Sequence, residues 1–332
     1  MSTGHRNDAP RLIADIGGTN ARFALLEGHK RLNEQVLKCA DYPDLVTAVE
    51  HYLQGAGAHT AGNRPKEAAM AIAGPITGDI IRMTNHVWQF SAAKVREQLG
   101  LKRLHFLNDF TALALALRHL PANELETIGG GRAVAGGPIA LIGPGTGLGV
   151  SGLIPAGTQW MPLQGEGGHT TLSVMTEREI AVLGQLRQLF SHVSAERVLS
   201  GPGLVNLYDA LCILEGTAPG ELTPREITSR ASDGSCRVCR ETVSMFCALL
   251  GTMAGNLVLT LGAVGGLYIG GGIVPKLGRL FATSHFRDRF EDKGRYTDYL
   301  AAVPVYVIHS PLPAFVGLAH SFTEAGPRLE AE

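Results

Sequence analysis

The sequence is poor in the residues that would cross-link a protein or give it a strong charge. Only five of its 332 residues are cysteines, and 29 lysines and arginines nearly balance 30 aspartates and glutamates. An odd number of cysteines at irregular spacing argues against a disulfide framework, so we expect a reducing, cytoplasmic location. The formal net charge of -1 argues against broad electrostatic adhesion to nucleic acid or to an anionic membrane surface.

The sequence also lacks a clear targeting or membrane-spanning segment. Residues 1–10 are polar, without the apolar core of a signal peptide. The stretch from Thr242 to Pro275 carries no charge and is long enough to cross a bilayer, but polar and glycine residues such as Asn256 and Gly262 interrupt it. We therefore expect a buried helix followed by a buried strand, and no membrane association.

Glycine, by contrast, is abundant. The 42 glycines cluster in short runs between apolar segments, which is typical of tight turns rather than of a flexible linker. The chain is longer than one hydrophobic core usually organises, so two lobes are expected. Apolar residues at 45% and charged residues at 18% are an ordinary balance for a globular protein.

A unit of strand, small-residue turn and strand occurs twice. Leu12–Gly17 and Ala21–Leu26 predict a hairpin, and Ile139–Ile142 and Val150–Ile154 predict another around the turn Gly143–Gly149. Two such units predict an α/β protein with two related lobes and a cleft between them. Further apolar patterns predict strands at 66–73, 104–107, 267–269 and 303–308, and helices at 111–117, 176–190, 205–214, 243–261 and 314–322.

Both hairpin turns have the composition of a phosphate site. A triphosphate needs backbone N–H groups that approach closely, and only small residues allow that approach. Asp15-Ile16-Gly17-Gly18-Thr19-Asn20 offers such a turn beside a carboxylate, Asp15, that can hold hydrated Mg²⁺. Gly145-Thr146-Gly147 offers another. Neither turn has the P-loop or dinucleotide spacing, and either alone is compatible with a ligand-free hairpin, but their pairing favours phosphate binding.

A third glycine turn, Gly270-Gly271-Gly272, lies between a predicted strand and a predicted helix. This is a position at which α/β folds receive nucleotides. Taken alone, the turn is an unspecific signal.

A carboxylate is expected at the end of a strand. Asn108-Asp109 closes the strand at 104–107 and precedes an apolar helix, so both side chains should project from the strand's carboxyl end. An ionised aspartate there can accept a proton from an attacking hydroxyl. The alternative is that Asp109 is only a helix N-cap.

Further polar residues lie among small ones. Glu166 and His169 flank two glycines, an arrangement suited to binding the hydroxyls of a sugar, and one Glu with one His is too few for a zinc site. Glu196 is either functional or a first-turn helix carboxylate. Cys236 and Cys239 have no histidine nearby in sequence, so we expect ordinary thiols rather than a zinc site.

The ordered set of motifs resembles the bacterial glucokinases of the proteobacterial type, which are members of the actin-like ATPase and hexokinase superfamily. The resemblance covers nearly the whole chain, from about Leu12 to His320. It is carried by ADIGGTNAR at 14–22, MTNH at 83–86, NDFTA at 108–112, GTGLGV at 145–150, GEGGH at 165–169, HVSAERVLSGPG at 192–203, GGGIVP at 270–275 and FEDKGR at 290–295.

This resemblance implies a two-lobed actin-like ATPase (ribonuclease H-like) fold with ATP, Mg²⁺ and glucose meeting in the interlobe cleft. The implied lobes are residues 11–119 with 310–332, and residues 120–309; a homodimer is also implied. Asp109 would be the general base on the sugar 6-hydroxyl. The implied sugar-binding residues are Asn85, Asn108, Asp109, Glu166, His169 and Glu196. The implied nucleotide-binding residues are Ala14, Asp15, Ile16, Gly17, Gly18, Thr19, Asn20, Gly145, Thr146, Gly147, Gly270, Gly271 and Gly272, with Asp15 holding Mg²⁺ through water.

Two departures separate the chain from the wider superfamily. The segment Thr170–Glu177 has no cysteine, which disfavours the branch that carries a cysteine-rich zinc motif. The chain before Leu12 is too short for the helix-turn-helix domain of the related repressors, so no nucleic acid partner is expected. The remaining alternatives are a kinase for another hexose (mannose, fructose or an amino sugar), a non-catalytic sugar sensor, and a polymerising or chaperone-type actin relative, in which Glu166 and His169 would make little sense.

Overall fold

The structure is a computed structural model that describes residues 9–28, 30–60, 63–83 and 86–322. Its contacts divide the chain into two compact units. Unit 1 comprises Met1–Leu120, Ala156–Pro162 and Pro311–Glu332, and unit 2 comprises Pro121–Pro155 and Leu163–Ser310.

Strands and helices are numbered in chain order. The strands are β1 (Arg11–Ile16), β2 (Asn20–Glu27), β3 (Lys30–Lys38), β4 (Glu67–Ile72), β5 (Ile80–Arg82), β6 (Gln89–Ser91), β7 (Arg103–Asn108), β8 (Leu125–Ile128), β9 (Ile139–Pro144), β10 (Leu148–Ala156), β11 (Gln159–Pro162), β12 (Leu267–Ile269) and β13 (Val305–Ile308). The helices are α1 (Leu45–Gly55), α2 (Ala92–Gln98), α3 (Asp109–Ala116), α4 (Glu177–Leu189), α5 (Gly201–Leu214), α6 (Pro224–Ser232), α7 (Arg237–Leu261), α8 (Val274–Leu277), α9 (Arg279–Ala282), α10 (Phe286–Glu291), α11 (Thr297–Ala301) and α12 (Pro313–His320).

Unit 1 is built on a five-stranded sheet in the order β3-β2-β1-β4-β7. The predicted hairpin is confirmed, since β1 and β2 pair antiparallel with Ile16 opposite Ala21. Strands β1, β4 and β7 are parallel, and Ile16, Ile72 and Asn108 occupy the same register. These three strands therefore end in line at one edge of the sheet. The apolar run of β4 is buried throughout from Ala68 to Ile72, as expected for a parallel strand covered on both faces.

Unit 2 repeats this arrangement. Its sheet includes the strand order β10-β9-β12-β13-β8. The hairpin β9–β10 is antiparallel, with Pro144 opposite Leu148, and β9, β12 and β13 are parallel. In both units an antiparallel hairpin is thus followed across the sheet by two parallel strands. The repeat predicted from the two strand–turn–strand units is confirmed at the level of topology.

The long apolar segment forms a core helix of unit 2. Helix α7 is long and apolar enough to cross a membrane, yet 72% of its most apolar window is buried inside the structure. It begins at Arg237, earlier than the predicted 243, and ends at Leu261, followed by Gly262, whose φ of 60° is the left-handed conformation that closes many helices. The strand β12 follows. The predicted order of buried helix and buried strand is confirmed.

Candidate functional site

The first glycine turn is held by the segment that follows β3. The Gly17 N–H donates to the Asn20 carbonyl at 3.0 Å, and the Cys39 N–H donates to the Thr19 carbonyl at 2.9 Å. The Cys39 thiol also donates to the Gly17 carbonyl at 3.3 Å. Ala14 and Ile16 bury their side chains in the core of the unit, so only their backbone groups can serve a ligand. Gly18 and Thr19 lie at the tip of the turn, with Thr19 exposed.

Asp15 lies beside this turn and pairs with Arg22, its cross-strand neighbour. The Arg22 guanidinium donates to Asp15 Oδ2 at 3.1 Å. Burial raises the pKa of the Asp15 carboxyl above its ordinary value, while Arg22 acts in the opposite direction. Within the described residues no group of three or more His, Cys, Asp or Glu side chains could hold a metal ion. One carboxylate beside a phosphate turn fits Mg²⁺, which keeps several waters and takes its other ligands from phosphates.

Asn108 and Asp109 lie where the sequence predicts them, at the end of β7. Asn108, rather than Asp109, is the N-cap of α3: its Oδ1 accepts from the N–H groups of Phe110 at 2.9 Å and Thr111 at 3.2 Å. Its amide also donates to the Gly74 carbonyl at 3.1 Å. The N-cap alternative for Asp109 is therefore wrong. Asp109 is half-buried, and its Oδ1 accepts from the Phe110 N–H at 2.9 Å.

The register of unit 1 brings the turn and the carboxylate to the same edge. Strand β1 ends at Ile16, immediately before the glycine turn, and β7 ends at Asn108, immediately before Asp109. Only β4 lies between these two strands, and the three ends are in register. With strands spaced by about 4.8 Å, the backbones of the two sites are separated by roughly 10 Å. A phosphate on the turn and a hydroxyl on Asp109 can therefore belong to one reaction.

The second glycine turn, in unit 2, connects β9 to β10. The Gly145 N–H donates to the Gly147 carbonyl at 2.8 Å, and the Gly201 N–H, at the start of α5, donates to the Gly145 carbonyl at 2.8 Å. Thr146 is exposed at the tip. The turn thus presents a small loop of backbone, as predicted from its composition.

The third glycine turn packs on the end of β9. The Gly270 N–H donates to the Ile142 carbonyl at 2.8 Å. Gly271 has a φ of 77° and lies so close to the Pro144 carbonyl that a Cβ atom would overlap it, so both its conformation and its position require glycine. Because β12 and β9 are adjacent and parallel, the second and third turns lie side by side.

A cavity of about 900 Å³ opens between these two turns in unit 2. Gly145, Thr146 and Gly272 line one part of it, and α6 and the segment from Ile273 to Leu280 line the rest. Sequence reasoning missed the residues of this wall that give it charge and hydrogen-bonding capacity, which are Arg225, Thr228, Ser229, Ser232 and Lys276. A cavity with apolar walls, hydroxyls and two cations fits a nucleotide, which combines a flat base, a ribose and an anionic chain.

Glu166 and His169 lie in one loop that packs against β10. The His169 N–H donates to the Glu166 carbonyl at 3.0 Å, and both side chains are exposed. The glycines between them serve close packing rather than an unusual conformation: a Cβ on Gly167 would lie 2.7 Å from Val150 Cγ1, and one on Gly168 would overlap the Leu148 carbonyl. The loop's polar side chains are thus fixed next to the strand that follows the second turn.

Glu196 lies in a 3₁₀ turn, Ala195–Arg197, between that loop and the second glycine turn. Its Oε2 accepts from the Leu148 N–H at 2.9 Å, and its Oε1 is 4.0 Å from His169 Nε2. The structure therefore brings Glu166, His169, Glu196 and the second turn together within unit 2. Asn85, the remaining predicted sugar-side residue, lies outside the described residues.

Comparisons with known proteins identify the family of this chain. The family model "Glucokinase" matches residues 12–325. The curated glucokinase of Aromatoleum aromaticum is 53% identical over 330 residues, covering 98% of each chain. The curated glucokinase of Paramagnetospirillum magneticum is 53% identical over 315 residues, covering 94% of this chain and 97% of the relative.

A solved structure gives the same answer for the fold. The crystal structure of a glucokinase from an Antarctic psychrotroph superposes with a TM-score of 0.85 at 36% identity and covers 94% of this chain and 98% of its own. The predicted two-lobed, actin-like sugar kinase fold is thereby confirmed. The chain belongs to the glucokinase family.

Proposed function

We propose that this protein transfers the terminal phosphoryl group of ATP to the 6-hydroxyl of glucose, giving glucose 6-phosphate and ADP. Membership of the glucokinase family supports this proposal. The observation that carries it is the common ending of β1, β4 and β7, because it sets Asp109 two strands away from a glycine turn of phosphate-binding composition.

In the proposed mechanism the sugar 6-oxygen attacks the γ-phosphorus in line, and the bond from that phosphorus to the β–γ bridging oxygen breaks. Asp109 accepts the proton of the 6-hydroxyl, and its place at the first position of α3 fixes the carboxylate on a rigid element. The turns at Gly17–Thr19 and Gly145–Gly147 bind phosphate oxygens through backbone N–H groups. Asp15 would hold Mg²⁺ through water, and the ion would offset the negative charge of the phosphates.

We assign the nucleotide to the cavity of unit 2. The adjoining turns at Gly145–Gly147 and Gly270–Gly272 support this assignment, as do the cationic side chains of Arg225 and Lys276 in its wall. Arg225 and Lys276 suit the anionic chain, and the α6 hydroxyls suit the base or the ribose.

Sugar recognition is assigned to Asn108 and Asp109 in unit 1, and to Glu166, His169 and Glu196 in unit 2, with Asn85 as a further sugar-side or hinge residue. Carboxylates and imidazoles accept or donate hydrogen bonds at fixed angles, so a hydroxyl in the wrong position leaves one of them unpaired. Each such mismatch costs on the order of 1–3 kcal/mol. These residues would let the site discriminate among hexoses by the positions of their hydroxyls.

The experiment that tests the function measures initial rates with Mg²⁺ and ATP against a panel of glucose, mannose, fructose and glucosamine. We expect glucose to give the highest kcat/KM. A higher value for another hexose would support the alternative of a different hexose kinase, and no turnover with any sugar would support the sensor alternative.

The general base is tested with Asp109→Asn. Base catalysis of this kind accounts for about 10²–10⁴ in rate, so we expect a loss of kcat of that size with glucose binding retained. Asp298→Asn, which changes an exposed carboxylate in the first turn of α11, is the matched control. Wild-type turnover in Asp109→Asn would remove this residue from the chemical step.

We further propose that residues 11–119 with 310–332 form the small lobe and residues 120–309 the large lobe, and that the protein is a cytoplasmic homodimer. Its five cysteines are unpaired, and all but Cys236 are buried, which is compatible with a reducing compartment. Sedimentation equilibrium tests the dimer, and a monomer mass at micromolar concentration would contradict it.

A further inference from the structure

One carboxylate of unit 2 serves both the second glycine turn and the loop assigned to sugar binding. Glu196 Oε2 accepts from the N–H of Leu148, the residue that ends the turn, at 2.9 Å. Its other oxygen, Oε1, is 4.0 Å from His169 Nε2. The two oxygens of a single rigid group therefore face two different sites.

Hydrogen bonds hold the main chain around Glu196 in place, as they do its side chain. The Ser200 hydroxyl donates to the Glu196 carbonyl at 2.7 Å and accepts from the Gly203 N–H at 3.0 Å, which caps α5. The next residue, Gly201, donates its N–H to the Gly145 carbonyl at 2.8 Å. The segment 196–203 thus contacts the turn at both of its ends, at Gly145 and at Leu148.

The Glu196 side chain is only 31% exposed, so a hydrogen bond to this carboxylate is weakly screened by water. A sugar hydroxyl that donates to Oε1 would restrict the rotation of the carboxylate. The same restriction would keep Oε2 on the Leu148 N–H, and the turn would then be ordered before a phosphate arrives. A turn that is already ordered binds phosphate with a smaller entropy loss.

We propose that Glu196 is a positioning residue that couples sugar binding to nucleotide binding through the Leu148 N–H. This inference rests on the proposed function, since it takes glucose and ATP as the ligands. Coupling of this kind is reciprocal: glucose tightens the binding of the nucleotide by the same factor by which the nucleotide tightens the binding of glucose. Typical coupling between two sites is about 5- to 150-fold.

A competing explanation is that Glu196 only binds the sugar. In that case, its replacement would weaken glucose binding but leave the coupling factor unchanged. Glu166 provides the matched control, because it is another carboxylate of unit 2 that we assign to sugar binding, while no hydrogen bond from its side chain to the second turn is found in the described part of unit 2.

The experiment is titration calorimetry of the full-length protein with glucose and a non-hydrolysable ATP analogue with Mg²⁺, each alone and in the presence of the other. We expect a coupling factor of at least about 5 in the wild type, a factor near 1 in Glu196→Ala, and an intermediate factor in Glu196→Gln, whose neutral oxygen is a weaker acceptor. Glu166→Gln should bind glucose more weakly and keep the wild-type factor. A wild-type factor in Glu196→Ala, or no coupling in the wild type, would overturn the proposal.

Hydrogen exchange provides a second readout, which uses only the wild-type protein and so does not depend on whether a variant folds. Glucose alone should slow the exchange of the amides of residues 145–149 in the wild-type protein, Leu148 above all. Unchanged exchange there on saturation with glucose would also overturn the proposal. Failure of the wild type to bind glucose or the analogue at all would instead contradict the proposed function, so the two failures are distinguishable.

Discussion

Replacing Gly147 with alanine perturbs the second turn through one defined contact. A Cβ atom at this position would lie 2.5 Å from Glu196 Oε2 and 3.3 Å from Glu196 Cδ. Because the obstacle is the end of a flexible side chain, the Glu196 carboxylate is expected to move rather than the backbone. That movement breaks its hydrogen bond with the Leu148 N–H.

The size of the effect on glucose binding follows from the hydrogen bond that Glu196 is proposed to accept from the sugar. A hydrogen bond to a charged group contributes about 1.5–3 kcal/mol, which corresponds to roughly a 10- to 150-fold change in a binding constant. We expect Gly147→Ala to weaken glucose binding by a factor in this range, because the displaced carboxylate would no longer accept the sugar hydroxyl that we assign to it. The fold should be retained, since no backbone atom is forced to move.

The assay is calorimetric titration with glucose, with Gly145→Ala as the control in the same turn. A Cβ at position 145 meets no atom within 4 Å, so this variant should keep its glucose affinity even if a methyl group there hinders a phosphate. In a Glu196→Ala background, Gly147→Ala should have little further effect, since the two changes act on one contact. Glucose binding within twofold of wild type in Gly147→Ala would refute the reasoning.

Two further predictions concern titratable groups outside the proposed site. Burial raises the pKa of the Glu179 carboxyl, but Arg289 and two backbone N–H groups outweigh it, so the pKa lies below its ordinary value. The resulting stabilisation is present above the unfolded-state pKa and is lost as the pH falls through the folded-state pKa. Because breaking a buried ion pair costs about 3–5 kcal/mol, Glu179→Gln should lower the free energy of unfolding at pH 7 and make it depend less on pH in the acid range. Urea titrations that show the same acid dependence in this variant and the wild type would contradict this prediction. The thiol pKa of Cys236 is raised by burial but lowered more by nearby N–H and thiol donors, whereas burial raises the pKa of Cys247 to about 12. Iodoacetamide at pH 7 should therefore modify Cys236 first, and Cys236→Ser should abolish the fast phase of labelling. Faster labelling of another cysteine would contradict the assignment.

The hairpins and their turns were predictable from the sequence because they are local structures. In Leu12–Leu26, two apolar runs separated by Gly17 and Gly18 leave few arrangements other than a hairpin, and the same pattern recurs at Ile139–Ile154. Asn108 and Asp109 were predictable for a related reason: polar residues directly after a short apolar strand come to lie at its carboxyl end.

The wall of the cavity in unit 2 was not predictable, because its residues carry no strong pattern. Helix α6 buries only Ile227 and Ala231, so its apolar face is too narrow to predict a helix with a functional role.

Strand β3 lies at an edge of its sheet and is mostly exposed, which removes the alternation of apolar and polar residues that predicts a strand. The grouping of Ala156–Pro162 with unit 1 depends on contacts far apart in sequence.

The hydrogen bonds of the first and second glycine turns bear on the proposal that both bind phosphate. Carbonyl oxygens repel phosphate, and in each turn they accept from other groups. The Gly17 and Thr19 carbonyls accept from Cys39, the Gly145 carbonyl accepts from Gly201, and the Gly147 carbonyl accepts from the Gly145 N–H. With these oxygens engaged, fewer carbonyl groups are left to repel a phosphate from either turn.

The two turns differ in what holds them, and the difference assigns them different roles. The first turn is fixed by the backbone N–H and the thiol of Cys39, which is a buried residue. Among the described residues, neither of these groups contacts a side chain of unit 1 that we assign to sugar binding. The second turn depends in addition on the Glu196 carboxylate, which can rotate and which also faces His169. Under the proposed function, the first turn would be a static phosphate platform, whereas the second would respond to the sugar. A kinase that must avoid hydrolysing ATP would gain from this arrangement, because its phosphate site would be completed only when the sugar is present.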